Sequence, residues 1–125
     1  MKSVLVIDDE FDLVSTLRAI LEGEGYRTES CTNGREALKK LAETEKPDLV
    51  LMDVMMPLAS GFEVLQSIRD TPDLSKLPVV LMSSIPPGVK KEDCRWQAFL
   101  RKPFTLDVLM KTIHRLIGVP ELNSR

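Results

Sequence analysis

Acidic residues follow the first apolar run of the chain without a break. Val4 to Ile7 are aliphatic, and Asp8, Asp9 and Glu10 come directly after them. A continuous apolar run of this kind is typical of a buried strand, so these carboxylates stand at its carboxyl end and need a positive group nearby. Polar side chains also follow other apolar runs: Asp53, Ser83 and Lys102.

These residue types predict a cation site. If the first and third strands are neighbours, Asp8, Asp9 and Asp53 share a partly dehydrated crevice, where three carboxylates cannot all stay ionised unaided. A hard divalent cation would offset their charge, and oxygen ligands without Cys or His favour Mg²⁺, or Mn²⁺, over zinc. Lys102 would supply a second positive group, able to pair with a carboxylate or with a phosphoryl oxygen.

Each of these residues also has an ordinary structural explanation. Asp8 or Asp9 could cap a helix that begins near Phe11, Asp53 could be a loop residue, and Lys102 could be a solvated end. Four strand ends with mutually compatible chemistry nevertheless favour a functional site over this purely structural interpretation.

The apolar pattern predicts the elements that position these groups. Continuous runs predict strands at 3–8, 48–53 and 78–84, and weaker runs predict strands at 26–31 and 98–102. Between them lie helical stripes: Leu13, Leu17, Ile20 and Leu21; Ala37, Leu38 and Leu41; Phe62, Leu65 and Ile68; and Leu106, Leu109, Met110, Ile113 and Leu116. This alternation predicts an α/β fold, in which a parallel sheet carries helices on both faces.

The segment 85–96 occupies the place where a fourth helix is expected. Pro86 and Pro87 cannot lie inside a helix, so the fourth helix should be short and should start near Gly88. Thr105 is the expected N-cap of the last helix.

Length and composition fit one globular domain. The chain has 125 residues, of which 43% are hydrophobic and 29% charged, and a net charge of −2. We expect a single domain over 1–125, with a core at about 3–118 and a loose tail at 119–125. The near-neutral charge gives little support for direct nucleic-acid binding, and no apolar run approaches the roughly 20 residues that span a membrane. We therefore expect a cytoplasmic protein, in which Cys31 and Cys94 are reduced thiols.

Taken together, these motifs resemble the receiver domain of bacterial two-component response regulators. The matching stretches are VLVIDDE, PDLVLMDVMMPLASGFEVL, LPVVLMSS and AFLRKPF, which span about residues 3–118. The resemblance implies a doubly wound, flavodoxin-like sheet of order 2-1-3-4-5. It also implies a phosphorylation-controlled switch in phosphorelay signalling, with self-catalysed phosphotransfer, rather than an enzyme with turnover.

The resemblance also implies a role for each site residue. Asp53 would be the phosphoacceptor, and the metal ligands would be Asp8, Asp9, Asp53 and the backbone carbonyl of Met55. Ser83 and Lys102 would contact the phosphoryl group, Phe99 would be the aromatic residue that reports activation, and the Lys102–Pro103 peptide bond would be cis.

The implied partners are a sensor histidine kinase or a phosphotransfer protein as phosphoryl donor, and an unknown downstream protein on the 85–117 face. The chain would be a monomer or a phosphorylation-dependent dimer. One alternative is a degenerate receiver that acts through phosphate-independent contacts, and the intact site residues argue against it. Another is a haloacid dehalogenase type phosphohydrolase, whose DxDx[TV] pattern differs from DDEFD here.

Two residues outside the site leave questions open. Trp96 stands where the resembled family commonly has a small residue, and its ring could be a partly exposed anchor for a partner or a cover for the core. His114, on the last helix, is expected to be a plain surface or boundary residue.

Overall fold

A parallel sheet forms the centre of the chain in the computed structural model, which describes residues 2–43, 45–85 and 95–120. The sheet has five strands in the order β2-β1-β3-β4-β5, and each neighbouring pair is parallel. The strands are β1 (Ser3–Ile7), β2 (Arg27–Cys31), β3 (Leu49–Asp53), β4 (Val79–Ser83) and β5 (Ala98–Arg101). The predicted fold class and strand order are therefore confirmed.

Helices connect the strands on both faces of the sheet. In the described part of the chain these are α1 (Phe11–Gly23), α2 (Gly34–Leu41), α3 (Gly61–Asp70) and α4 (Leu106–Ile117), and a 3₁₀ turn at Pro72–Leu74 follows α3. The short helix predicted within 85–96, starting near Gly88, falls on residues that lie mostly outside the described part of the chain, and so does the tail predicted at 119–125, of which only residues 119 and 120 are described. None of the helices described is long and apolar enough to cross a membrane.

Local hydrogen bonds explain where several helices begin. Ser60 and Glu63 form a capping box at the start of α3, in which each side chain bonds to the backbone N–H of the other residue. Thr105 accepts a hydrogen bond of 3.1 Å from the backbone N–H of Val108, which confirms it as the N-cap of α4. Glu10 stands at the N-cap of α1 without a side-chain cap bond, so its carboxylate is free for other contacts.

Two apolar core layers sandwich the sheet. Every residue of β3 and of β4 is buried, as expected for parallel strands covered on both faces. Buried side chains of α2 and α3 pack in one layer, which we call the α2/α3 layer, and those of α1 and α4 pack in the other. These layers cover the two faces of the sheet, and the polar groups discussed below lie at the carboxyl ends of its strands.

The predicted apolar faces of the helices had the right periodicity, but some of the residues assigned to them do not face the sheet. Leu38 and Leu106 are exposed, whereas Val14 and Val64, which the predicted stripes omit, are buried. Periodicity gives the separation of residues on one helix face, but the angle at which a helix lies on the sheet decides which of them reach it. Leu106 is the first residue of α4, ahead of the turns of α4 that face the sheet.

The side chain of Trp96 is buried, with 5% of its surface exposed. Its ring packs in the α2/α3 layer, with ring centroids 6.0 Å from Phe62 and 5.7 Å from Phe99. The expectation of a partly exposed anchor was wrong, and the alternative of a core residue holds. The physical reason is that an indole offers a large apolar area that gains from burial when neighbouring rings leave room for it.

Candidate functional site

The order of the strands brings two acidic strand ends together. β1 and β3 are neighbours in the sheet, with Ile7 paired to Met52, so the residues that follow them emerge side by side. The order of the sheet changes direction between these two strands, because β2 lies on one side of β1 and β4 lies beyond β3. Crevices at such a reversal are the usual binding sites of open parallel sheets.

Three carboxylates meet in this crevice. Asp8, Asp9 and Asp53 each place an oxygen within 4.8 Å of the oxygens of the other two. Asp8 has no exposed surface and Asp53 is 6% exposed, whereas Asp9 lies open to solvent. The structure therefore brings together the acidic residues that the sequence singled out, and it does not use Asp8 or Asp9 as the N-cap of α1.

The ammonium group of Lys102 forms ion pairs with three carboxylates. Lys102 Nζ lies 3.0 Å from Asp8 Oδ2, 3.3 Å from Glu10 Oε1 and 3.5 Å from Asp53 Oδ1. The Lys102 backbone N–H donates to the Ser83 carbonyl at 2.8 Å, and the Lys102–Pro103 peptide bond is cis. Sequence reasoning assigned no role to Glu10, although its place as the third acid of DDE was a signal that it borders the same crevice.

The electrostatics of the crevice favour an added positive charge. Burial raises the pKa of Asp53, and the negative charge of Asp8 raises it further, while Lys102 offsets only part of this effect. Burial alone would lower the pKa of Lys102, but its hydrogen bond with Asp8 and the charges of Asp53 and Asp8 outweigh burial and raise it.

Oxygen ligands make this cluster suitable for a hard divalent cation. The cluster contains three carboxylates and neither Cys nor His. Mg²⁺ accepts one or two carboxylates in an octahedron completed by carbonyl oxygens and waters, and Mn²⁺ has similar preferences. Because two of the carboxylates are buried against each other, a cation there would remove a repulsion that Lys102 does not fully balance.

Ser83 stands at the end of β4, close to the same crevice. It directly follows Met82, which pairs with Asp53 in the sheet, and it is buried. Its Oγ accepts a hydrogen bond of 3.1 Å from the backbone N–H of Ile85, so the hydroxyl links β4 to the loop after it. Phe99 lies elsewhere. It is a residue of β5 that pairs with Leu81 of β4, and it packs against the α2/α3 layer.

The loop after β3 is drawn tightly against Asp53. The Gly61 backbone N–H donates to the Val54 carbonyl at 2.8 Å, and a Cβ on Gly61 would stand 2.6 Å from the Asp53 carbonyl oxygen. Only glycine fits there. Met55 lies in this loop with an exposed side chain, and Leu58 adopts φ +72°, a left-handed conformation that is rare for a side chain of its size.

A family model described as the response regulator receiver domain matches residues 4–114. The polar-differentiation response regulator DivK of Brucella anthropi is 32% identical over 120 residues, which cover 94% of this chain and 97% of that protein. The response regulator MprA of Mycolicibacterium vanbaalenii is 36% identical over 117 residues, which cover 91% of this chain and 49% of that protein.

Solved structures with the same fold include two bacterial signalling proteins. The chemotaxis protein CheY4 of Vibrio cholerae has a TM-score of 0.86 and 28% identity, over 94% of this chain and 99% of that one. The response regulator TrrA of Thermotoga maritima, solved in complex with Mg²⁺ and BeF, has a TM-score of 0.83 and 31% identity, over 94% of this chain and 100% of that one.

Proposed function

Because this chain belongs to the response regulator receiver family, we propose that Asp53 accepts a phosphoryl group from a phosphohistidine of a sensor histidine kinase or phosphotransfer protein. Receiver domains are signalling domains, so the result is a change in partner binding rather than turnover of a substrate. The observation that carries the proposal is the gathering of Asp8, Asp9 and Lys102 around the Asp53 carboxylate.

The transfer uses groups that are already in place. An oxygen of ionised Asp53 forms a bond to phosphorus while the bond from phosphorus to the donor imidazole breaks. The imidazole nitrogen keeps the electron pair of the broken bond and takes up a proton from solvent. Lys102 stabilises the negative charge spread over the phosphoryl oxygens. Asp8, Asp9, Asp53 and the Met55 carbonyl would hold Mg²⁺ or Mn²⁺, which supplies positive charge against the carboxylates and the incoming group.

The switch begins at Ser83. Its hydroxyl, which now accepts from the Ile85 N–H, turns to donate to a phosphoryl oxygen and draws the loop after β4 toward Asp53. The movement opens space into which the Phe99 ring turns. A downstream protein then binds the face formed by residues 85–117, on a monomer or a phosphorylation-dependent dimer. We also propose that residues 1–125 form one receiver domain, because a single sheet takes up every strand described.

The test is phosphorylation by a small donor. Incubation with acetyl phosphate and Mg²⁺ should add the mass of one phosphoryl group to the intact protein, and removal of Mg²⁺ with EDTA should prevent the gain. The Asp53→Asn variant should gain nothing. Asp107→Asn, which removes an exposed carboxylate on α4, should behave like the wild type.

Two results would contradict the proposal. If the wild type gains no mass, the chain acts as a degenerate receiver through phosphate-independent contacts. If Asp53→Asn still gains the phosphoryl mass, another residue is the acceptor.

A further inference from the structure

Three rings form a chain of contacts from β5 to α3, which we call the aromatic cluster: Phe99, Trp96 and Phe62. Trp96 stands in the middle, with ring centroids 5.7 Å from Phe99 and 6.0 Å from Phe62. Phe62 belongs to the first turn of α3, close to the tight loop that follows Asp53. Because interiors are close-packed, Phe99 cannot turn without a response from the indole.

Both neighbours of Trp96 in the sequence are tied to α3, Arg95 through its backbone carbonyl and Gln97 through its side chain. Arg69, in the last turn of α3, donates from Nε to the Arg95 carbonyl at 3.0 Å and from Nη2 to Gln97 Oε1 at 2.8 Å. Gln97 Oε1 also accepts from the Val79 N–H at 2.7 Å, which fixes the same residue to β4. Arg69 is a buried residue and its bonds to Arg95 and Gln97 are partly buried, so competing water reaches them only in part.

The residue before Trp96 has a strained backbone. Arg95 adopts φ +54°, although it is not glycine. This conformation is unfavourable for an L-residue, so the surrounding contacts must hold it. Arg69 donates a hydrogen bond to the carbonyl of Arg95 itself, so the residue with the strained backbone is also the one that is bonded to α3. The indole is thus held in position by its own backbone as well as by packing.

We propose that Trp96 is a positioning residue that transmits a change of the Phe99 ring to helix α3. The inference rests on the proposed phosphoryl switch and adds a route for its output. When Phe99 turns, the indole cannot retreat, because its backbone is fixed at Arg95 and Gln97. It therefore shifts against Phe62, and the first turn of α3 responds.

The only tryptophan of the chain makes the first test direct, because intrinsic emission reports Trp96 alone. Acetyl phosphate and Mg²⁺ should change the intensity or the maximum of the emission in parallel with the phosphoryl mass, and Asp53→Asn should show neither change. Mass gain without any emission change would overturn the inference and leave the proposed function standing. Absence of mass gain would instead refute the proposed function, and the inference with it.

The second test asks whether the signal reaches α3. Hydrogen exchange of amides in Gly61–Asp70 should change several-fold on phosphorylation of the wild type, whereas Leu17 and its neighbours in α1 serve as the internal reference. Trp96→Leu should gain phosphoryl mass but lose the α3 response, and Trp96→Phe, which keeps a ring, should retain it.

A control separates transmission from loss of stability. Leu109→Ala weakens the core layer that α1 and α4 form on the other face of the sheet, without touching the aromatic cluster, so it should retain the α3 response. If Trp96→Leu responds like the wild type, or if Leu109→Ala loses the response equally, Trp96 is only a packing residue and the inference is wrong.

Discussion

The burial of the Asp53 carboxyl lowers the stability of the folded protein at neutral pH. Its pKa is raised above the ordinary 3.8, chiefly by burial and then by the charge of Asp8. A folded-state pKa above the unfolded one means that the folded protein binds more protons between the two values. Stability therefore falls as pH rises from about 3.8 through the folded pKa, and it stays lower at neutral pH.

We therefore predict that Asp53→Asn is more stable than the wild type at neutral pH without Mg²⁺. The gain should disappear below about pH 3.8, where the wild-type carboxyl is protonated in both states. Urea unfolding at several pH values measures this directly, with Asp107→Asn as the control on an exposed carboxylate. A gain that does not depend on pH would show that packing, not charge, is responsible.

Leu58 offers a second change at the scale of one residue. Its φ of +72° is unfavourable for leucine, and its side chain is exposed, so little packing is lost on replacement. Leu58→Asn should raise the free energy of unfolding by about 1 kcal/mol, because Asn tolerates the left-handed conformation. Leu58→Ala keeps the Cβ clash and should gain much less. Equal effects of the two changes in urea unfolding would rule out backbone strain as the cause.

At the scale of elements, Arg69 connects α3 to the strands beyond it. Besides its bonds to Arg95 and Gln97, its Nη1 donates to the Leu77 carbonyl at 2.9 Å, just before β4 begins. Burial lowers the pKa of this guanidinium, but its hydrogen bonds satisfy the charge without a carboxylate.

Arg69→Met should lower the free energy of unfolding by about 2–4 kcal/mol, since it leaves several buried carbonyls without a donor. The measurement is urea unfolding, and Arg115→Met on the exposed side of α4 is the matched control, with little expected change. A loss in Arg69→Met no larger than in Arg115→Met would mean that solvent replaces the lost donors.

The sequence was informative about elements wherever a repeating pattern existed. Continuous apolar runs predicted three strands and weaker runs the other two, all to within one residue of their ends, and Thr105 marked the start of α4. The burial of Arg69 could not have been predicted in this way. A charged residue in a helix is expected to face solvent unless the groups that accept its hydrogen bonds are known. Those acceptors are carbonyls of distant segments, which no local pattern contains. The burial of Trp96 was undecided for the same reason.

At the scale of the whole molecule, Tyr26 ties the start of β2 to the end of α4. Its hydroxyl donates to the Gly118 carbonyl at 2.8 Å, and its ring stacks on His114 with centroids 6.3 Å apart. Burial, with a smaller effect of Glu24, raises the pKa of Tyr26 to about 12. His114 is partly buried, in agreement with the expected boundary position.

Alkaline pH should therefore weaken the fold through Tyr26. Above about pH 10 the unfolded chain loses a proton that the folded protein keeps, so stability should fall until about pH 12. Tyr26→Phe should flatten this part of the profile, while costing about 1 kcal/mol at neutral pH for the lost hydrogen bond. Thermal unfolding between pH 9 and 12 measures the slope. An unchanged slope in Tyr26→Phe would assign the alkaline loss to other groups.

Burial in the α2/α3 layer predicts that the thiol of Cys31 is unreactive. Burial is the main reason that the pKa of Cys31 is raised to about 11, so almost none of it is thiolate at neutral pH. In a Cys94→Ser variant, iodoacetamide should label the folded protein far more slowly than the urea-unfolded protein. Rapid labelling in the absence of urea would show that the α2/α3 layer, which contains Cys31, opens readily.

The ion pair between Lys102 and Asp8 joins residues 94 positions apart, one near each end of the receiver fold. During synthesis on the ribosome, Asp8, Asp9 and Asp53 are made before Lys102, so the acidic residues exist for a time without their counter-charge. A nascent chain that has not yet reached Lys102 therefore lacks the ammonium group that Asp8, Glu10 and Asp53 share in the folded protein.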